Sequence, residues 1–443
     1  MEYTDVVVIG GGVLGCFVAR NLRRWNIDVT LIEAEADVCM GITRANSAIV
    51  YSGCDNKFGS LKARMTVHAN KQFSNLCTEL DVPFKRCGSL MVAQGPQAEA
   101  VLKMKLEQGK RNGVVGITLL SGREARSMEP QLSSRITAAL FVPGTGTVNP
   151  WQLGIAAFEN ACTNGCHPML NTLVQKIEKD QDHYLIGTER HSIRCRVIVN
   201  CAGLNADHIQ EMVFPPTVRL TFDAADYLVF DRKVLSPRQI IFQEREDGKG
   251  VTLVPTVEGN MLIESPERVL NTAMWATTKD GLEKLQMLTE ELLPNVNMMG
   301  VIRSFAAVRP NPFLISNEKK RLNDFVILRP AENFFSFVGI KTPGLTCANG
   351  LSMYVAEEVA NFLKSSLNRS FLPKRCMDHE KDNEIICQCG QITKGEVISA
   401  IKRGAYTLDG VKHRAGTGMG RCQGARCRRR IQQLLEEEKN GTL

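Results

Sequence analysis

The stretch that decides the fold reads Thr4-Asp5-Val6-Val7-Val8-Ile9-Gly10-Gly11-Gly12-Val13-Leu14-Gly15. Its apolar run predicts a buried strand, and the apolar spacing after Gly15 predicts a helix. In such a strand–turn–helix unit, Gly10 allows the tight turn, Gly12 lets the backbone approach a pyrophosphate, and Gly15 lets the helix pack on the strand. The sequence therefore predicts a dinucleotide whose phosphates lie on a helix N-terminus.

A second short apolar run specifies the nucleotide further. Residues 29–32 predict another strand, and Glu33 follows directly. A carboxylate at this position accepts the ribose hydroxyls and repels a 2′-phosphate. The adenosine is thus predicted to be that of FAD or NAD rather than NADP.

The length and composition are those of a globular protein. The 443 residues, 44% of them hydrophobic and 23% charged, provide enough chain for two or three domains. No apolar run approaches the roughly 20 residues that cross a bilayer, although peripheral association with a membrane stays open. Because the chain enters its first strand at once, we expect no signal or transit peptide and a cytoplasmic, reducing location.

The fifteen cysteines and the net charge of +7 restrict the partners. In a reducing space, thiols and metal ligands are expected rather than disulfides. Much of the positive charge lies in the last fifty or so residues, but no base-stacking aromatic pattern accompanies it. We therefore predict no nucleic-acid partner.

Later segments predict how the chain is organised. A strand over residues 196–200 ends in Cys201-Ala202-Gly203, which predicts a return to the nucleotide domain. Short alternating segments between residues 227 and 264 predict an antiparallel sheet. A last helix is predicted over residues 351–363, followed by a polar linker over 366–383.

At this point the chain resembles the flavin-dependent dehydrogenases of the D-amino-acid oxidase type, in the branch of L-2-hydroxyglutarate and anaerobic glycerol-3-phosphate dehydrogenases. The segments that carry the resemblance are the glycine turn with Glu33, the Asn46-Ser47 loop, residues 197–203 and residues 338–346. The resemblance implies an α/β fold: a Rossmann-like FAD-binding domain with an inserted antiparallel β-sheet substrate domain, plus a small helical domain with four cysteines.

The implied domains are discontinuous. The FAD-binding domain takes residues 1–80, 145–212 and 320–365, and the substrate domain takes 81–144 and 213–319. The linker over 366–383 and a [2Fe–2S]-binding domain over 384–443 complete the chain.

The resemblance also implies cofactor contacts, position by position. Gly10, Gly12 and Gly15 hold the pyrophosphate and Glu33 the ribose. The remaining expected FAD contacts are Thr43, Asn46 and Ser47 along the flavin ring, Val174 near the adenine, Ala202 and Gly203 over the adenosine, and Gly339, Lys341, Gly344, Leu345 and Thr346 at the flavin edge and ribityl chain.

Three residues are expected at the substrate. Arg309 corresponds to the arginine that pairs with a substrate anion, since a guanidinium can bind a carboxylate or phosphate with two hydrogen bonds. Lys341 corresponds to a lysine near substrate and flavin. Tyr51 stands where hydroxy-acid members commonly carry histidine, and a tyrosine with an ordinary pKa near 10 is a poor proton acceptor. The general base therefore stays open, and an amine substrate stays an alternative.

Four cysteines near the C-terminus predict a metal centre. Cys387 and Cys389 form one close pair, and Cys422 and Cys427 form another. Zinc pairs usually have the spacing C-x₂₋₄-C, whereas C-x-C with C-x₄-C resembles the bacterioferritin-associated-ferredoxin-like domain, which holds a [2Fe–2S] cluster. Zinc stays the alternative. The basic run Arg428–Arg430 is either a solvated face or a docking surface for an acidic partner.

Taken together, the sequence predicts an FAD-dependent dehydrogenase. Its expected substrate is a small anionic hydroxy compound, first glycerol 3-phosphate and second L-2-hydroxyglutarate or another 2-hydroxy acid. Electrons are expected to leave through the [2Fe–2S] cluster or a partner flavoprotein or other acceptor. An amine, opine or proline dehydrogenase subunit and a non-catalytic electron-relay subunit are the remaining alternatives.

Overall fold

The structure is a computed structural model that describes residues 2–234, 237–270, 275–315, 320–377 and 380–441. Its strands are β1 (Glu2–Ile9), β2 (Val29–Ile32), β3 (Ile49–Val50), β4 (Phe84–Lys85), β5 (Ser89–Ala93), β6 (Thr118–Ser121), β7 (Ala138–Val142), β8 (Gly146–Val148), β9 (His167–Met169), β10 (Lys176–Asp180), β11 (His183–Gly187), β12 (Ser192–Asn200), β13 (Val218–Phe230), β14 (Ile240–Arg245), β15 (Gly248–Pro255), β16 (Met261–Glu264), β17 (Arg268–Leu270), β18 (Val301–Leu314), β19 (Val326–Ala331), β20 (Phe334–Val338), β21 (Ile385–Cys387) and β22 (Ile392–Thr393). Its α-helices are α1 (Val13–Leu22), α2 (Leu61–Glu79), α3 (Pro96–Arg111), α4 (Gly122–Met128), α5 (Pro150–Thr163), α6 (Ala206–Glu211), α7 (Lys279–Leu292), α8 (Gly344–Leu363), α9 (Lys394–Lys402), α10 (Leu408–Ala415) and α11 (Arg428–Lys439). A short 3₁₀ turn over Ile42–Ala45 also matters below.

The first sheet is organised around β1. Strands β12 and β2 flank β1 in parallel, and β20 and β9 extend the parallel pairing on either side. Helices α1, α5 and α8 cover one face, and a second apolar cluster covers the other. Because both faces of β1 are covered, its sequence is a continuous apolar run rather than an alternating one.

The return of the chain to this sheet is confirmed. The predicted strand over residues 196–200 is the end of β12, and Cys201 N donates to Ile9 O across 2.8 Å. Residues 201–203 therefore lie beside the glycine turn that follows β1.

The second sheet is built on the long antiparallel pair β13 and β18. Strands β16, β15 and β14 continue it with antiparallel neighbours, as the alternating segments predict. One pairing differs from the expected antiparallel sheet, because β5 runs parallel to β14. These two strands come from separate passages of the chain, so no hairpin dictates their relative direction.

Two helix N-termini are capped as the sequence predicts, and the start of α8 differs from the prediction. Ser121 with Glu124, and Thr393 with Glu396, form capping boxes. Helix α8 begins at Gly344 rather than at residue 351. The small and polar residues of its first two turns hide the apolar period, although the helical backbone is formed there.

The predicted linker is not a free tether in its described part. Asn26 N donates to Ser366 O. The side-chain amides of Asn160, in α5, and of Asn164, directly after α5, both donate to Leu372 O. These side chains supply the backbone partners that a segment without secondary structure otherwise takes from water. Residues 378–379 of the linker lie outside the described part.

The last domain has a core of its own. Helices α9, α10 and α11 and the hairpin β21–β22 enclose an apolar cluster that includes Cys387 and Cys427. As expected from the sequence, Cys427 lies with Ile431, Leu434 and Leu435 on one side of the last helix.

Two further observations concern the whole chain. One sheet contains β1, β2, β9–β12, β19 and β20, and another contains β5–β7 and β13–β18. This division supports the proposed boundaries between the FAD-binding domain and the substrate domain. Within the described ranges, every helix is too short or too polar to cross a bilayer.

Candidate active site

A cavity of about 420 Å³ runs from the glycine turn to the β13–β18 sheet, within the roughly 300–1,000 Å³ usual for cofactor and small-molecule sites. The predicted residues that line it are Gly10, Gly12, Glu33, Thr43, Asn46, Ser47, Tyr51, Val174, Ala202, Gly203, Arg309, Lys341, Gly344 and Leu345. The fold thus gathers predicted cofactor and substrate residues around one space.

Three predicted cofactor residues do not line this cavity. Gly15 packs against Gly10, where a Cβ would overlap the Gly10 carbonyl oxygen. Gly339 has a φ of +70° and packs against Pro312. Thr346 is buried, and its Oγ1 accepts a hydrogen bond from Tyr51 N at 3.0 Å. Direct contacts of these three residues with FAD stay predictions. In the structure, the three residues pack behind the residues that line the cavity.

The glycine turn fits a pyrophosphate. Gly10 has a φ of +103°, a conformation that favours glycine. A Cβ on Gly12 would meet no protein atom closer than Thr43 Oγ1 at 3.6 Å, so this side of the turn is open. The N-cap residue Gly12 supplies no side-chain cap to helix α1, and Val13 N donates to Thr43 Oγ1 at 3.0 Å. Phosphate oxygens would therefore be met by the N–H groups that follow Val13 in the first turn.

Glu33, the predicted ribose ligand, is held in place by backbone donors. Its Oε2 accepts from Gly11 N at 2.6 Å and its Oε1 from Glu35 N at 2.9 Å. Burial raises the pKa of Glu33, and the hydrogen bonds from Glu35 and Gly11 counteract that rise. The carboxylate is oriented by backbone donors and retains acceptor capacity for ribose hydroxyls.

Arg309 has carboxylate partners within the protein. Its guanidinium pairs with Glu264 and Glu267 and donates to Tyr227 OH at 3.2 Å. Tyr227 stacks on Phe305, with ring centroids 4.6 Å apart. Arg309 therefore lines the cavity with much of its charge already compensated.

Lys341 lies in a different electrostatic setting. Its Nζ donates to Asn311 Oδ1 at 2.5 Å. Burial, together with the positive charges of Arg321 and Lys62, lowers the pKa of Lys341 to about 8. An anion placed among these cations would relieve their mutual repulsion.

The surroundings of Tyr51 keep its phenol protonated. Burial, followed by the negative charge of Glu264, raises the pKa of Tyr51 above its ordinary value. The phenol therefore stays protonated at neutral pH, in line with the expectation that tyrosine is a poor proton acceptor here.

Sequence reasoning missed the neighbours of Arg309 and Lys341. Glu264 is the last residue of β16, and Glu267 follows that strand. Arg321 lies between β18 and β19. Only Asn311 had a usable signal: it lies two residues after Arg309, and positions i and i+2 of a strand share a face.

The four predicted metal ligands form two pairs. Cys389 Sγ lies 3.5 Å from Cys422 Sγ. Cys427 is next to Cys387. Burial is the main cause that raises the pKa of Cys427 to about 11, and the interaction with the Cys387 thiol is the second cause. Among the described residues, no group of three or more His, Cys, Asp or Glu side chains is arranged to hold a metal ion, so the four cysteines stand as two thiol pairs rather than as one four-thiol cage. Two thiol pairs suit a binuclear cluster, in which each iron takes two thiolates.

Comparison with known proteins identifies the family. Residues 5–358 match the family described as FAD dependent oxidoreductase. The chain belongs to this family. Residues 385–437 match the BFD-like [2Fe-2S] binding domain, so the C-terminal domain is of the cluster-binding type.

Several relatives match over most of this oxidoreductase. A glycerol 3-phosphate dehydrogenase of Caloramator mitchellensis is 36% identical, with 98% of this chain and 94% of the relative covered. A glycerol 3-phosphate oxidase of Mycoplasma pneumoniae is 29% identical, covering 79% and 92%. The human mitochondrial L-2-hydroxyglutarate dehydrogenase is 30% identical, covering 68% and 67%.

Solved structures agree on the fold. The dithionite-reduced L-alpha-glycerophosphate oxidase from Mycoplasma pneumoniae, with FAD bound, superimposes with a TM-score of 0.76 at 26% identity, covering 84% of this chain and 98% of that one. A glycine oxidase from Geobacillus kaustophilus gives a TM-score of 0.71 at 18% identity, covering 84% and 97%, and shows the fold alone.

Proposed function

We propose that this FAD-dependent oxidoreductase dehydrogenates glycerol 3-phosphate, the first of the substrates that the sequence predicts. The observation that carries the substrate is the setting of Lys341, which lines the same cavity as the glycine turn and donates to the neutral amide oxygen of Asn311 beside the cations Arg321 and Lys62. Similarity over nearly the full chain to a glycerol 3-phosphate dehydrogenase supports the same substrate.

The charges at the cavity favour a phosphate near Lys341. Arg309 is paired with two carboxylates, whereas Lys341 shares the neutral amide oxygen of Asn311 with Arg321. A phosphate dianion gains more from the second environment than from the first. FAD, when bound, would supply the hydride acceptor for this oxidation. Lys341 orients the substrate by holding its anionic end.

Tyr51 contributes by position. It lines the cavity, and its backbone N–H is held by Thr346 Oγ1. As a neutral phenol it donates a hydrogen bond to a substrate oxygen and does not remove the hydroxyl proton.

L-2-Hydroxyglutarate is the second candidate. A dicarboxylate presents two anionic ends, and the cavity has cations at two places, Arg309 and Lys341. Binding at Arg309 requires the substrate to displace a glutamate, which makes this substrate second. An amine substrate has no support beyond a shared fold.

The compartment and acceptor are also part of the proposal. The fifteen cysteines form no disulfide, and four of them are the proposed cluster ligands, in keeping with the reducing compartment, such as the cytoplasm, that we propose. We expect the electrons to pass through the C-terminal domain to a one-electron acceptor, either a partner flavoprotein or another redox protein.

The test is anaerobic bleaching of the bound flavin by separate substrates. Glycerol 3-phosphate should bleach the flavin at low concentration, while L-2-hydroxyglutarate, other 2-hydroxy acids, proline and sarcosine should act weakly. A flavin that responds first to L-2-hydroxyglutarate would replace the first candidate by the second. A flavin that responds to none of them would favour the electron-relay subunit.

A further inference from the structure

Helix α10 of the C-terminal domain reaches the wall of the nucleotide cavity. Residues 33–35 and 40–47 line this cavity, and residues 36–39 between them do not. Asp37, at the middle of that turn, faces α10. The cofactor-lining segment is therefore in contact with the cluster domain at its midpoint.

The contact is a buried ion pair. Arg414 Nη2 donates to Asp37 Oδ1 at 2.9 Å, and Arg414 Nη1 donates to Asp37 Oδ2. The two side chains are 1% and 4% exposed. Arg414 Nε also lies 3.3 Å from Glu159 Oε1 on α5. Without Arg414, Asp37 would be a buried carboxylate without a cation, a state that destabilises the packed conformation of its loop.

Movement of Asp37 would reach the glycine turn. Cys39 N donates to Gly11 O at 2.8 Å, and Gly11 N donates to Glu33 Oε2 at 2.6 Å. The loop that carries Asp37 is thus hydrogen-bonded to the turn for the pyrophosphate and to the carboxylate for the ribose.

A second contact joins α10 to the other end of the segment. The His413 ring lies 4.5 Å from the Trp151 ring between centroids. Trp151 Nε1 donates to Arg44 O at 2.8 Å, within the 3₁₀ turn Ile42–Ala45 that lines the cavity. The helix therefore supports the cofactor wall at two points.

We propose that the C-terminal domain completes the FAD site, with Arg414 and His413 of α10 as positioning residues that hold segment 33–47 in its FAD-binding conformation. FAD affinity and the folding of the cluster domain are then thermodynamically linked. This linkage between FAD binding and the cluster domain rests on the proposed function in one respect, that FAD is the bound dinucleotide. It does not depend on which substrate is oxidised.

The experiment compares FAD binding in variants of the full chain. Each protein is stripped of flavin and titrated with FAD by fluorescence, and its iron and acid-labile sulfide are measured. Arg414→Gln should raise the dissociation constant for FAD severalfold or more, with iron and sulfide unchanged. Arg429→Gln, at an exposed position on α11, is the matched control and should bind FAD as the wild type does.

Two further variants keep the test decisive if Arg414→Gln does not fold. Asp37→Asn removes the charge that Arg414 pairs with, and Trp151→Phe keeps a ring against His413 but removes the donor to Arg44 O. Removal of iron by a chelator should also weaken FAD binding, and FAD removal should weaken cluster retention by the same factor. Wild-type affinity for FAD in the folded variants, with an intact cluster, would overturn the linkage. Weak flavin bleaching by glycerol 3-phosphate would count against the substrate alone.

Discussion

Lys341 Nζ lies 2.5 Å from Asn311 Oδ1, and Arg321 donates to the same amide oxygen. One neutral acceptor thus serves two cations at the cavity. Arg321 also pairs with Asp223 at 3.1 Å, whereas the described contacts of Lys341 Nζ include no carboxylate within ion-pair distance. Lys341 is therefore the residue whose charge an incoming anion would compensate.

The first prediction is a loss of substrate affinity above pH 8. Lys341, with a pKa of about 8, is cationic below that pH and neutral above it. Anion binding is therefore present below pH 8 and lost as the pH rises through it. The kcat/KM for glycerol 3-phosphate should fall by up to about tenfold per pH unit on the alkaline side.

The matched variant for this profile is Lys341→Arg, because a guanidinium stays charged throughout the range. Its kcat/KM should show no break near pH 8. If the wild-type kcat/KM instead rises through pH 8, Lys341 accepts a proton and does not bind the anion as a cation.

A second prediction concerns Arg309 and stability. Arg309→Ala leaves Glu264, with its side chain 9% exposed, without its cation. Breaking a buried pair on one side costs about 3–5 kcal/mol of unfolding free energy. Urea denaturation should report that loss, and the double variant Arg309→Ala with Glu264→Gln should recover much of it. A single variant as stable as the wild type would mean that the pair is solvated in solution.

Tyr51→Phe provides a third prediction. Because the phenol stays protonated, its removal should lower kcat by less than about tenfold, whereas loss of a general base costs roughly 10²–10⁴-fold. Steady-state rates across the pH range measure the difference. A loss of several hundredfold would assign the proton transfer to Tyr51 after all.

Two glycine variants separate cofactor space from packing space. A Cβ at position 12 meets protein only at 3.6 Å, so Gly12→Ala should fold with a normal melting temperature but bind FAD poorly. A Cβ at position 15 overlaps the Gly10 carbonyl, so Gly15→Ala should also lose about 1–3 kcal/mol of stability. Equal melting temperatures for the two variants would contradict this distinction.

The last prediction concerns the cluster ligands. Cys422→Ser should abolish the visible iron–sulfur absorption and lower the iron content, because Cys422 pairs with Cys389 across 3.5 Å. Cys376→Ser is the control, since Cys376 is an exposed thiol outside both pairs. Bound zinc in the wild type, lost in Cys422→Ser without any change in iron, would contradict the cluster.

Local chemistry was readable before the fold was known. The glycine turn and the acidic residue after β2 are short-range patterns that the sequence shows directly. The capping boxes at Ser121 and Thr393 belong to the same class, since each is closed within four residues. The cysteines are also close in sequence within each motif, but the sequence did not show which thiols are neighbours, because Cys389 lies beside Cys422, 33 positions away.

Long-range partners were not readable, because no sequence spacing relates them. The sequence by itself determined a dinucleotide turn and a family resemblance, and it predicted four cysteines as soft ligands. Only the tertiary structure decided that Arg309 is compensated by Glu264, that Lys341 shares its acceptor with Arg321, and that Arg414 reaches Asp37. The physical reason is that charge compensation depends on distance in space, which the packing of sheets and helices sets.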